Sequence, residues 1–176
     1  REGISYLRVV DSRKTLADIS NIITDFPSKK LKLVGVTGTN GKTTTSKLVA
    51  YLIGKLFGKC ANLGTDGGIF GDKVVETSNT TPDITEINDF LEKCIENNIE
   101  YATLEASSHG LDQKRLEGIH FEVGIFNNLS TEHLDYHKTM ENYFDAKMKL
   151  LENSEMTVAN MDEDWTEQVI KIFPHT

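Results

Sequence analysis

Gly35-Val36-Thr37-Gly38-Thr39-Asn40-Gly41-Lys42-Thr43-Thr44-Thr45 decides the fold, because an apolar strand over 31–36 runs into it and an amphipathic segment runs out of it. Glycines 38 and 41 let the backbone curl until successive N–H groups point into one concavity, and the helix that follows adds its positive N-terminal end. Such a turn holds phosphate. Lys42 would reach the outer phosphates as a point charge, and the Thr43 hydroxyl is placed to ligate a Mg²⁺ that bridges them. Gly38, Thr39, Asn40, Gly41 and Thr44 complete the expected nest. The common phosphate-loop spacing has a glycine at position 36, whereas this chain has Val36 there and its glycine at 35. The context fits nonetheless: Leu48, Val49, Leu52, Ile53, Leu56 and Phe57 recur on helical spacing after the loop, so nucleotide phosphate binding outweighs an ordinary glycine-rich turn.

The 176 residues suit one domain of ordinary size with a short piece of another. A net charge of −8 leaves no broad basic face for nucleic acid. Cys60 and Cys94 lack metal-ligand spacing and read as small apolar fillers in a reducing compartment. No apolar run is long enough to cross a membrane and residues 1–30 carry no signal-peptide pattern, so a cytoplasmic protein is expected. Strand-like segments at 32–37, 59–64, 100–105, 121–127 and 156–160 alternate with helical patterns at 43–57, 83–97, 139–152 and 162–173. That alternation predicts an α/β fold, a mostly parallel sheet with helices on both faces. A hairpin is expected over 67–76 around Gly71-Asp72. Residues 1–30, with a short helix reaching Phe26 and Pro27, read as the end of a preceding unit and a connector, and 31–176 as the nucleotide-binding domain.

Three further clusters carry chemistry. Residues 101–105 form an apolar strand ending in Glu105, with Ser107, Ser108 and His109 behind it. Ligands gather at the carboxyl ends of parallel strands, so Glu105 is either a metal-binding carboxylate beside the phosphate loop or a surface glutamate before a serine-capped helix. A second strand, 121–126, leads into Ser130, Glu132, His133, Asp135 and His137. A helix capped by Ser130 would explain Glu132 but not both histidines; His133 is the candidate metal ligand, and His137 is equally a structural histidine. On the helix over 139–152, at about 100° per residue, Met140, Tyr143, Phe144, Lys147 and Leu151 share one side. An ammonium in that stripe costs several kcal/mol unless paired or neutral. Lys147 therefore either snorkels to water, the preferred reading from the residues alone, or stays neutral and open to carbamate formation with CO₂.

Taken together, Gly38-Thr-Asn-Gly-Lys-Thr-Thr44, Asn79-Thr-Thr-Pro-Asp83, Glu105-Ala-Ser-Ser-His-Gly-Leu111, Asn128-Leu-Ser-Thr-Glu-His-Leu-Asp-Tyr-His137 and Tyr143-Phe-Asp-Ala-Lys147 resemble the Mur ligase family, and within it the tripeptide-synthetase branch. The likeness runs in order from about residue 7 onward, and that family shares the variant loop spacing. It implies a phosphate-loop central domain that uses ATP and Mg²⁺ to join an amino acid, diaminopimelate or lysine, to UDP-MurNAc-L-Ala-D-Glu through an acyl phosphate. By the same resemblance Lys42 binds the outer phosphates, Thr43 and Glu105 hold the ATP-linked Mg²⁺, and Glu105, His133 and a carbamate on Lys147 serve a second one. Thr80, Thr81, Ser107, Gln113 and Arg115 match positions that bind the UDP-muramoyl peptide. Residues 1–30 then correspond to the tail of a uridine-binding domain, a C-terminal Rossmann-like domain is missing, and a monomer is expected. Two other readings stand beside this one: a ligase of the folylpolyglutamate or cyanophycin synthetase type, and a Mur-like nucleotide-binding subunit of a larger assembly.

Overall fold

Six residues, Lys32–Thr37, form β1, and five of them are buried because both flanks of the strand are paired and both faces covered. In the computed structural model, which describes residues 5–174, the other strands are β2 (Cys60–Gly64), β3 (Gly67–Phe70), β4 (Lys73–Val75), β5 (Tyr101–Glu105), β6 (Phe121–Phe126) and β7 (Ser154–Ala159). They build one seven-stranded sheet in the order β4-β3-β2-β5-β1-β6-β7. Strands β2, β5, β1, β6 and β7 pair in parallel, with Val36 opposite both Glu105 and Ile125. The register brings the carboxyl ends of β1, β5 and β6 level with one another.

The helices are α1 (Ser12–Ile23), α2 (Lys42–Leu56), α3 (Ile84–Glu96), α4 (Ser108–Asp112), α5 (Leu134–His137), α6 (Met140–Glu152) and α7 (Thr166–Ile172). Helix α2 packs on β1, β2 and β5, whereas α6 packs on β1, β6 and β7. None of the described helices is long and apolar enough to cross a membrane. The expected α/β layering is what forms, with three local differences. The chain turns back twice after β2, so β3 and β4 are antiparallel at the edge of the sheet. Gly71 alone of the Gly71-Asp72 pair has positive φ, the pattern of a II′ hairpin. Helix α1 ends at Ile23 and a 3₁₀ turn over Pro27–Lys30 leads into β1. Strand β7 begins at Ser154, earlier than its apolar residues suggest, because Ser154 already pairs with Phe121.

The larger surprise is α2. Its apolar residues recur at helical spacing, yet Leu48, Leu52, Leu56 and Phe57 are exposed, and Ser46 is the buried residue of the helix. Helix α1 is docked on the core rather than loose: Asp11 caps it through Arg13 N and Lys14 N and pairs with Lys114 at 2.5 Å. Farther along α1, Asn88 of α3 donates to Ser20 and Asn21 at 3.0 Å each. Cys60 and Cys94 are free, and burial pushes both thiols up to about 12, so they are packing residues.

Gly35 has a steric reason. A Cβ there would lie 2.4 Å from Leu150 Cδ1 and 3.0 Å from the Phe121 ring, so β1 and α6 can approach only across a glycine. Replacing Gly35 with valine is expected to destabilise the chain by about 1–3 kcal/mol through overpacking, read as a lower urea midpoint at unchanged slope; an unchanged midpoint refutes this account.

Candidate functional site

Where β1 ends, the chain is held from three sides. Thr37 Oγ1 donates to Ala106 O at 2.8 Å, Thr39 N to Asn128 O at 3.0 Å, and Asn40 N to Asn128 Oδ1 at 2.9 Å. Asn127 also reaches the start of α2, donating to Thr45 Oγ1 at 3.0 Å. The loop is therefore pinned to the segment that follows β6. Gly41 sits at φ 80°, a conformation glycine adopts without strain. At Gly38 a Cβ would come within 2.9 Å of Asn127 Cβ. Both glycines of the nest are thus required by the backbone path.

Lys42 folds back over this loop and donates to the carbonyls of Gly38 at 3.0 Å and Thr39 at 2.9 Å. Burial lowers its pKa, an effect partly offset by Glu105 and Glu132. Lys147 approaches the same Gly38 carbonyl from beneath, at 2.7 Å. The snorkelling reading is overturned: Lys147 is 1% exposed, and its amine lies 4.5 Å from the centre of the Tyr143 ring. Burial, and next the neighbouring Lys42 ammonium, push the Lys147 amine well below the usual lysine range. No carboxylate pairs with it at salt-bridge distance among the described residues.

Glu105 is not on the surface either. It is 2% exposed, and its carboxylate accepts from Thr43 Oγ1 at 2.8 Å, Thr65 Oγ1 at 3.1 Å and Thr65 N at 3.0 Å. Thr65 in turn lies 3.1 Å from the Thr80 hydroxyl. Room for the carboxylate comes from Gly64, where a Cβ would stand only 1.9 Å from Glu105 Oε1. Behind the carboxylate, Thr81 Oγ1 donates to Glu105 O and accepts from Ser107 N. Ser107 Oγ accepts from Gly110 N as the cap of α4, and Arg115 donates to Thr81 O and Gln113 Oε1 at 2.8 Å each. Thr81 and Ser107 therefore hold the backbone of the site together, while Thr80, Gln113 and Arg115 present side chains to its opening.

The histidine segment differs from a Ser130-capped helix. Helix α5 starts only at Leu134, after His133 has taken a left-handed φ of 55°, and Ser130 is bonded through its backbone to Thr39. That turn leaves His133 exposed over the opening, where its ring meets His109 edge-on at 4.9 Å and lies 6.0 Å from Tyr143. His137 is buried, bonds Ser108 Oγ at 3.0 Å and stacks on Tyr143, which settles it as the structural histidine. Burial, then the neighbouring imidazole, lowers the pKa of both His109 and His137.

All these parts border one cleft of about 610 Å³. Thr39, Asn40, Gly41, Lys42, Thr43, Thr44, Thr80, Thr81, Glu105, Ser107, Gln113, Arg115 and His133 line it, and Gly38 and Lys147 lie directly beneath. Thr65, Asn79 and His109 line it too; Asn79 and His109 stand within the motifs read from the sequence without a role, and Thr65 was not singled out. Thr65 had a readable signal, since it follows a parallel strand at its carboxyl end. Among the described residues no three His, Cys, Asp or Glu side chains converge closely enough to hold a metal ion. The donors are hydroxyls with one carboxylate, a hard oxygen set that suits Mg²⁺ when phosphate oxygens and water complete its shell. A second metal would need another anionic oxygen, and Lys147 carries none in its free form.

Comparison with known proteins adds the family. Residues 36–176 match the Mur ligase middle domain. The UDP-N-acetylmuramoyl-L-alanyl-D-glutamate–2,6-diaminopimelate ligase of Clostridium perfringens is 39% identical over 171 residues, 97% of this chain and 35% of that protein. The enzyme of the same name from Vibrio parahaemolyticus is 41% identical over 172 residues, 94% of this chain and 34% of that one. The chain thus spans about a third of the length of these relatives. A solved diaminopimelate ligase of this name superposes with a TM-score of 0.80 at 33% identity, covering 95% of this chain and 36% of its own. A Mycobacterium tuberculosis folylpolyglutamate synthase shares the fold, with a TM-score of 0.73 at 12% identity over 91% of this chain and 44% of its own. On the match over 36–176 and these identities, the chain belongs to the Mur ligase family.

Proposed function

We propose that the chain is the ATP-binding core of a ligase that joins diaminopimelate to UDP-MurNAc-L-Ala-D-Glu in the cytoplasm, with residues 1–30 as the end of a preceding domain and 31–176 as most of the central one. The observation that carries this reading is the meeting of Lys42, Thr43 and Glu105 at one phosphate loop. The names of the diaminopimelate ligase relatives supply the choice of amino acid. In this reading the protein acts as a monomer.

Each residue then has a physical task. The loop N–H groups and Lys42 receive the outer phosphates of ATP, whose arrival would draw the Lys42 amine off the Gly38 and Thr39 carbonyls. Thr43 and Glu105 are the pair that would hold Mg²⁺, which when bound supplies the positive charge that lets a carboxylate approach a triphosphate. Thr80, Gln113 and Arg115 orient the acceptor carboxylate, with Arg115 suited to a bidentate grip and Thr81 and Ser107 fixing the backbone around it. His133 overhangs the opening as a further metal ligand.

Lys147 supplies the missing anionic oxygen as a carbamate. Its neutral amine lone pair attacks the carbon of CO₂, one C=O π pair moves to oxygen, and the N–H proton leaves to water, giving a carbamate anion. Burial, and next the Lys42 ammonium, lower the pKa of this amine and so favour the neutral form that reacts.

Calorimetric titration of the chain with a non-hydrolysable ATP analogue and Mg²⁺ is expected to show saturable binding. Lys42→Ala should weaken it by about 1.5–3 kcal/mol, roughly 10- to 150-fold, the worth of a charged hydrogen bond; no heat in the unmodified chain overturns the proposal. Stabilisation by a folate but not by UDP-MurNAc dipeptide would move the chain to the folylpolyglutamate type. For the carbamate, ¹³CO₂ is expected to give a carbamate carbon resonance that persists to neutral pH and is absent in Lys147→Ala. Unmodified Lys147 at saturating bicarbonate refutes that role.

A further inference from the structure

Tyr143 has no task in the mechanism above, yet it touches both halves of the site. On α6 it stands four residues before Lys147, so the two side chains project to the same side of the helix. It is 1% exposed, with the Lys147 amine 4.5 Å from its ring centre and the His137 ring stacked on it at 5.0 Å and 28°. Its hydroxyl lies 3.2 Å from Thr39 Oγ1. Thr39 has one hydroxyl proton, directed at Ser130 O at 3.3 Å, and it accepts the Ser130 N–H at 2.9 Å. Tyr143 and Thr39 share a hydroxyl–hydroxyl hydrogen bond in which either oxygen can donate.

We infer that Tyr143 is a positioning residue of this site: its ring seats the Lys147 amine, and its hydroxyl holds Thr39 of the phosphate loop, so that both are fixed in one frame. The inference rests on the function proposed above. Behind the ring, His137 is bonded to Ser108 Oγ, so the frame extends to the helix after β5, the strand that carries Glu105. Ring and hydroxyl are separable by substitution. Phenylalanine keeps the seat for the amine and drops the tie to Thr39, whereas leucine drops both.

The test compares the unmodified chain with Tyr143→Phe and Tyr143→Leu by ADP–Mg²⁺ titration, the ¹³C carbamate resonance of Lys147 and thermal melting. Tyr143→Phe is expected to keep the carbamate, to bind ADP roughly 5- to 10-fold more weakly, as loss of one hydrogen bond implies, and to shift the Ser130 amide resonance. Tyr143→Leu should lose the carbamate as well. A residue that merely fills space would lower the melting temperature and leave the two binding readouts moving together; that result, or unmodified affinity and carbamate in both variants, overturns the inference. If Tyr143→Leu does not fold, the phenylalanine variant decides alone, and unmodified ADP affinity in it refutes the tie. An unmodified chain that neither binds ADP nor takes up CO₂ overturns the proposed function and this role with it, whereas a competent chain with indifferent variants removes this role only.

Discussion

Two lysine amines converge on one carbonyl oxygen, that of Gly38, and the arrangement of the site follows from this. A carbonyl has two lone pairs and accepts both donors, but two neighbouring ammonium groups repel each other where little water screens them. The conflict is lopsided. Burial leads at both amines, but at Lys42, at the mouth of the cleft, Glu105 and Glu132 oppose it, whereas at Lys147, in the core, the Lys42 ammonium adds to it and Glu132 alone opposes. Both amines are thus held below the usual lysine range, and Lys147 well below it. One folded loop thus places two residues of the same type in different surroundings.

Around that loop the architecture is a matter of register. Val36 faces Glu105 on one side and Ile125 on the other, which delivers three strand ends at a single level. Whatever leaves those ends must then share a small volume. The phosphate loop leaves β1, the Glu105 carboxylate ends β5, and the Asn127-Asn128 anchors leave β6. The two asparagines tie the loop and the start of α2 to the end of β6.

Much of this was legible in the residues. Alternating apolar segments gave the layering, and the glycines with Lys42 and Thr43 gave the nest, since both signals depend on local geometry that spacing records. The unusual position of Lys147 was legible as a misfit in a helical stripe, but its resolution was not. Whether an amine reaches water depends on what lies across the core, here the Gly38 carbonyl and the Tyr143 ring. Glu105 posed the same difficulty, because its burial is decided by Thr43 and Thr65, which are distant in sequence. The rotation of α2 was not legible for a related reason: periodicity locates an apolar stripe but not the direction in which it points. His133 could be picked out by residue type, whereas the left-handed turn that lifts it over the opening has no sequence signal at a histidine.

Gly64 carries a consequence of another kind. It contacts no ligand in any reading of the site, has no titratable atom and sits at the end of a strand, yet a single methyl group there would occupy the space of a Glu105 carboxylate oxygen. The placement of this carboxylate is consequently written as much in an absence of atoms on β2 as in the acid on β5. A genetic screen for loss of function in this protein would return that silent glycine beside the residues that line the cleft, and a designer transplanting the site to another scaffold would have to copy an empty space along with the side chains.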